Sequence, residues 1–305
     1  MESEPAPVWG KSLLSSTSQF LQFLLSGMTV GSIYALTAIG FTIVYNCTQV
    51  VNFAQGEFVM LGAMIAAVLV ASAHLSLPLA VVIAVVVAGA VGCVVAAALL
   101  RPLRTGSPIT MIIITVGASI LLKGVAMLLW GKDAMPLPAF SGDHTIRMGG
   151  AALQAQSLWV FAVTTLLVIF LMLFYRYSLL GRAMRACASC KSGAKLVGIN
   201  TNRMAILSFA LGSAIGAAGG AVVAPITMAQ YDMGSMLGLK GFCAAILGGL
   251  GSFTGGIAAG LILGILEAMG AGFVSSGYKD AIAFVILLVI LFARPQGVFG
   301  GPKSK

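Results

Sequence analysis

RYSLLGRAMRACASCKSGAKLVGINTNR, residues 176–203, carries Arg176, Arg182, Arg185, Lys191, Lys195 and Arg203 and no Asp or Glu. Apolar runs near 158–175 and 204–228 flank it, each of roughly the length a helix needs to cross a bilayer. A basic, acid-free stretch between two such runs marks a cytoplasmic loop, because Lys and Arg of short loops are retained on that side. It is also the only long cytoplasmic stretch between runs, and so the surface that soluble machinery inside the cell would meet.

The solvent of this fold must be lipid. The 305 residues are 59% hydrophobic and 8% charged, with a mean hydropathy of +1.06, whereas soluble domains are roughly 25% charged. Apolar runs fall at about 13–45, 58–73, 79–100, 108–130, 158–175, 204–228, 240–272 and 281–293. Their lengths favour helices over barrel strands, which would alternate polar and apolar residues. The expected fold is all-α, one polytopic bundle over residues 1–305 with about eight spans. The first run is long for one tilted helix and leaves two pieces open. The net charge of +9 gives no nucleic-acid signal, since the basic residues sit at span ends and in loops.

Loop charges set the orientation. Arg101 and Arg104 put their loop inside, as Arg294, Lys303 and Lys305 put the tail inside. The segment 131–157 balances Lys132 and Arg147 against Asp133 and Asp143 and is rich in Gly and Pro, so it lies outside. Residues 229–239 then fall outside, and an odd number of crossings must follow. The piece 240–251 is too short to span. It reads as a half-helix that enters the membrane and joins the next piece at Gly248, Gly249, Leu250 and Gly251. Residues 273–280 would lie outside. Broken helices at membrane depth are tolerated only inside protein or beside water, so the break belongs near a pathway.

Gly256, Gly260, Gly264, Ala268 and Gly272 recur every four residues, a flat stripe that lets another helix come close. Glu267 lies eleven residues after Gly256, within about 20° of it around a helix. Its carboxylate therefore faces a packed neighbour or a cavity.

Asn46, Gln49, Asn52 and Gln55 recur every three residues and run into Gly56 and Glu57. Four amides on one helical stripe are costly against lipid. They either hydrogen-bond across helices or line a wet route. Glu57 borders that route or serves as an ion-pair partner, and Lys123 is one candidate base for it.

Catalysis finds no support. No Gly-x-x-x-x-Gly-Lys-[Ser/Thr] phosphate loop occurs, so ATP would have to be used by a partner. Cys187 and Cys190 form one Cys-x-x-Cys without a second pair, and His74 and His144 lie far away in sequence. That is short of a four-ligand zinc site, and no metal or cofactor is expected on this chain.

Gly31-Ser-Ile-Tyr-Ala-Leu-Thr-Ala-Ile-Gly-Phe-Thr-Ile-Val-Tyr45, continued by Val51-Asn-Phe-Ala-Gln-Gly-Glu57, resembles the opening of branched-chain amino-acid permeases of ATP-binding-cassette transporters. So do Gly181-Arg-Ala-Met-Arg-Ala186 with Gly198-Ile-Asn-Thr201, and Ala244-Ala-Ile-Leu-Gly-Gly-Leu-Gly-Ser252. The motifs keep their order over nearly the whole chain. The resemblance implies the smaller membrane subunit of a bacterial inner-membrane importer. Such a subunit is paired with a second permease, driven by two cytoplasmic ATPase subunits and fed by a periplasmic binding protein. It also implies that residues 176–203 dock the ATPase, through Gly181, Arg182, Ala183, Arg185, Ala186, Lys191, Lys195 and Gly198. The charges would aid docking, and the alanines, with Ala188 and Ala194, would allow close approach. Relatives often carry acids after the place of Ala188; here Ser189 and Cys190 stand there. Urea or short amides are the substrates of near relatives. A self-sufficient carrier or channel is the competing class, and a carrier would need a coupling-ion site on Glu57 and Glu267.

Overall fold

The structure, a computed structural model, describes residues 8–100, 108–142, 144–148, 151–273, 277, 279–294 and 297–298. Arg101, Arg104, Asp143, Lys303 and Lys305, on which part of the orientation argument rests, lie outside the described residues.

The chain folds as a bundle of α1 (Val8–Thr48), α2 (Gln55–Ala73), α3 (Leu77–Leu100), α4 (Pro108–Trp130), α5 (Ala155–Tyr177), α6 (Leu179–Ser189), α7 (Lys191–Leu196), α8 (Thr201–Thr227), α9 (Met233–Leu247), α10 (Phe253–Phe273) and α11 (Lys279–Ala293). Among the described residues, seven helices are long and apolar enough to cross a membrane: α1 from Ser18, α2, α3, α4, α5, α8 and α10. The eighth run forms α11, whose 15 residues reach about 22 Å against a hydrocarbon core of about 30 Å. The first run is one continuous helix of 41 residues, which settles the choice between one piece and two.

α1 is the axis of the bundle. Tyr34, Leu36, Ile39, Phe41 and Ile43 are each 2% exposed or less. On one side α10 runs antiparallel to it, from Asn46 beside Gly251 to Phe23 stacked edge-on against Phe273. The glycine stripe makes this approach close. A Cβ on Gly260 would lie 2.5 Å from the Ala35 nitrogen, and one on Gly264 would meet the backbone of Gly31. Gly256 faces Ala38. On another side α8 also runs antiparallel to α1, with Gly212 against Gly40 and Gly219 against Leu36. α3, α4 and α5 lie at the periphery. Ile109, Ile113, Ile120, Leu121 and Leu128 of α4 are all more than 60% exposed, which suits a lipid-facing helix.

The half-helix is α9, and it starts at Met233 rather than 240. The loop expected over 229–239 is accordingly only 228–232. Fifteen residues of α9 are too few to span, and the chain turns at 248–252, where Gly249 and Gly251 take φ of 85° and 105°. The Ser252 hydroxyl accepts the Gly255 N–H at 3.1 Å and starts α10. A small departure from an all-α chain follows α4. β1 (Thr145–Met148) and β2 (Ala151–Gln154) form an antiparallel hairpin. The Gln22 side chain pairs with the backbone of Ala152 and ties the hairpin to the far end of α1.

Candidate functional site

The four amides do not share a helical stripe. α1 stops at Thr48, and Gln49 turns into the left-handed region at φ 60°. The chain then folds back into the bundle before α2 opens at Gln55. The amides hold this seam together. Asn46 Nδ2 donates to the Gly251 carbonyl at 3.1 Å, so one seam is pinned to the other. Asn52 Oδ1 accepts the Ala54 N–H at 3.1 Å. Gln55 is fully buried among Gly40, Gly212 and Gly216 and donates to the Gly212 carbonyl at 2.9 Å. Gln49 alone is exposed and bonds back to the end of its own helix. Amides three apart mimic a helical face, but here they satisfy the backbone that a chain reversal leaves open.

Glu57, in the first turn of α2, is 1% exposed. Its Oε1 accepts from the Ser119 hydroxyl of α4 at 3.0 Å and the Ser235 hydroxyl of α9 at 3.2 Å. Its Oε2 has no hydrogen-bond partner among the described residues. Lys123, the candidate base, reaches Ser235 Oγ at 3.4 Å and lies 5.7 Å from the Tyr231 ring centre. Ser235 thus stands between the ammonium and the carboxylate. Gly234 makes the approach of α9 feasible, since a Cβ there would sit 2.7 Å from Glu57 Oε2. Beside these groups is a cavity of about 230 Å³ walled by Phe41, Phe53, Val116, Leu239 and Phe242, with Glu57, Ser119 and Ser235 as its polar side chains. Asn46, Asn52 and Gln55 do not line it.

A second buried charge cluster was not expected. Lys240 of α9, 4% exposed, lies 2.7 Å from Glu267 Oε1 of α10 and 2.6 Å from Asp280 Oδ1 of α11. The Tyr34 hydroxyl of α1 donates to Glu267 Oε2 at 2.8 Å. Glu267 thus faces packed neighbours, as its angle from Gly256 requires. Lys240 stands at the head of the same apolar run as Glu267, so a base was legible there, though not its pairing.

The basic elbow is formed by two short helices, α6 and α7. Ser178 Oγ accepts the Gly181 N–H at 2.8 Å and caps α6. Cys190 Sγ accepts the Gly193 N–H at 3.3 Å and caps α7 in the way a serine would. α6 buries Gly181, Met184 and Cys187 on one face and exposes Arg182 and Arg185 on the other. The buried face rests on α1, where Cys47 Sγ lies 4.0 Å from the Met184 carbonyl. Lys191, Lys195 and Gly198 are exposed. Ala183 and Ala186 are half-buried against the bundle. Ala194 is 3% exposed, so it packs inward and is not free for a partner. The elbow also presents two residues the charge pattern overlooks, Leu196 at 89% and Val197 at 76% exposed. Burial pushes the Cys187 thiol up, and Lys191 opposes this only in part.

Among the described residues no cluster of three or more His, Cys, Asp or Glu could hold a metal ion. The sequence matches the family described as branched-chain amino acid transport system / permease component over residues 23–291. It is 38% identical to the high-affinity branched-chain amino acid transport system permease protein BraD of Pseudomonas aeruginosa, covering 93% of this chain and 97% of that one. It is 36% identical to the permease protein LivH of the corresponding Escherichia coli system, over 93% and 96%. A probable branched-chain amino acid transport permease protein LivH of Methanocaldococcus jannaschii is 28% identical, over 92% of each. A multi-pass helical bundle with a half-helix, matched nearly end to end by these permeases, belongs to the branched-chain amino-acid transport permease family.

Proposed function

We propose that this chain is the membrane-spanning permease subunit of an ATP-binding-cassette importer, passing branched-chain amino acids across the bacterial inner membrane. The observation that carries this reading is the likeness to BraD and LivH over almost their whole length. A permease of this family works with an ATPase and a binding protein. The finer assembly proposed is one second permease, two cytoplasmic ATPase subunits and a periplasmic binding protein. ATP is bound and used by the partners, and this chain holds no cofactor.

The elbow is the proposed docking point. Arg182, Arg185, Lys191 and Lys195 supply charge, Leu196 and Val197 supply apolar contact, and Gly181 and Gly198 bound the unit. Because α6 rests on α1, and α1 is the axis against which α8, α9 and α10 pack, a displacement of the elbow by a closing ATPase pair is delivered to the bundle's centre. The proposed path runs beside the seam of Asn46, Gln49, Asn52, Gln55 and Glu57. In this account the amides hold the reversed backbone while Glu57 fronts the route.

Uptake of labelled leucine, urea and acetamide by the reconstituted complex with its cognate binding protein tests the reading. Leucine uptake that requires ATP and the separate ATPase is expected. Uptake of urea or acetamide instead would move the substrate. Gradient-driven uptake by this chain alone would replace the importer with a carrier.

A further inference from the structure

The cavity beside Glu57 combines two features that are rarely found together by accident in a membrane interior. It has an apolar wall open on one side, and a carboxylate that is almost fully buried with one oxygen left without a hydrogen-bond partner among the described residues. A buried acid in a membrane costs free energy unless a base, a hydrogen-bond donor or a cationic ligand meets it. Among the described residues two serine hydroxyls serve one oxygen only, and Lys123 stops at Ser235.

We infer that this cavity is an amino-acid site within the permease itself, with Glu57 receiving the ammonium group and Phe41, Phe53, Phe242, Val116 and Leu239 enclosing a branched aliphatic side chain. The inference rests on the proposed function and adds to it a place where the permease reads its substrate. Size supports it. An apolar cavity of about 150 Å³ accommodates benzene. The roughly 230 Å³ here is about half as large again as that benzene cavity, as leucine is larger than benzene. Charge supports it as well. The ammonium meets the acid, while Lys123, held 3.4 Å from Ser235 Oγ, offers the positive charge a neighbouring α-carboxylate needs. Access is available, because Ser235 and Leu239 are exposed on the rim. Three helices meet at the site. α2 brings Glu57, α4 brings Ser119 and α9 brings Ser235, so a shift of the half-helix would both open the wall and remove a donor from the acid.

The test is uptake of labelled leucine and labelled valine by the full complex, reconstituted with its ATPase and binding protein. Wild type is compared with Glu57→Gln and with Leu239→Trp, a rim change that fills the cavity without touching the acid. Complexes are first matched for recovered ATPase. Leucine uptake falls at least about tenfold in Glu57→Gln, as expected when a charge-assisted hydrogen bond is lost. In Leu239→Trp leucine uptake falls by more than valine uptake, because the added ring takes volume from the larger side chain. Leucine uptake within twofold of wild type in either variant, or equal loss of both amino acids in Leu239→Trp, overturns the site. Absence of leucine uptake in wild type is a different failure, which removes the proposed function and leaves no substrate for the site to read.

Discussion

The Lys240 ammonium lies 2.7 Å from Glu267 Oε1, and both side chains are less than 10% exposed. This pair joins the half-helix α9 to α10, and Asp280 extends it to α11. Removing one member of a buried ion pair strands the other and costs about 3–5 kcal/mol. Lys240→Met is therefore expected to lower the thermal midpoint of the purified protein sharply. Lys240→Met with Glu267→Met is expected to recover most of the loss, since it leaves no buried charge between α9 and α10. Asp280, partly exposed, is expected to turn outward once Lys240 is gone. Scanning fluorimetry of the singles and the double, read as a cycle, checks this; additive losses would mean the pair is not coupled.

Gly260 tests the stripe against backbone. A methyl group there meets the Ala35 backbone at 2.5 Å, and backbone gives way poorly. Gly260→Leu forces α10 away from α1 and is expected to cost about 1–3 kcal/mol or more as overpacking. Gly117 of α4 has nothing within 4 Å of its Cβ position, so Gly117→Leu is the matched control and should leave the protein monodisperse. Size-exclusion profiles of the two in detergent decide the point.

These features were not equally legible in the sequence. The stripe and the inward direction of Glu267 could be read because both follow from 100° per residue along an uninterrupted helix. The seam at 49–54 was misread, since amides every third residue fit a helix. The left-handed turn at Gln49 has no Gly or Pro to announce it. Lys240 escaped notice because its acids lie 27 and 40 residues further on, a distance that only tertiary packing closes. The cavity could not be read at all: Phe41, Phe53, Val116, Leu239 and Phe242 belong to separate segments, and nothing local marks them as neighbours. At the elbow, charge located the surface but hid Leu196 and Val197, and a cysteine acting as a cap concealed the division into two helices.

The elbow's energy of association should depend on its shape as well as its charge. Gly181 lies against the backbone of Phe174 and Tyr175 at the α5–α6 corner, so Gly181→Leu lifts α6 from its seat. ATPase co-purification is expected to be lost while membrane insertion persists. Leu196→Ser with Val197→Ser keeps the corner intact and removes exposed apolar surface. It is expected to weaken ATPase recovery in a way that low salt does not rescue. Arg182→Gln with Arg185→Gln should behave oppositely, with a loss that grows as salt is raised, because exposed charges are screened. Unchanged ATPase recovery in all three would remove the docking role.

Cys190 reports the sidedness of the whole arrangement. It is exposed at the junction of α6 and α7, while Cys47, Cys187 and Cys243 are buried. Cys93 is half-buried on α3, within a membrane-spanning helix. Near neutral pH a membrane-impermeant maleimide should therefore label the native protein at Cys190. Cys187 should resist, both because α6 turns it inward and because burial pushes its thiol up, which lowers the reactive thiolate fraction. Raising the pH increases Cys187 reactivity only where α6 also opens. If residues 176–203 face the cytoplasm, labelling occurs in inside-out vesicles and is absent in sealed right-side-out vesicles. Cys190→Ser should abolish it without loss of the α7 cap, since a serine oxygen accepts the Gly193 N–H as well as the sulfur does. Labelling of Cys190 from outside would invert the orientation of every span and leave the basic elbow with no ATPase to meet.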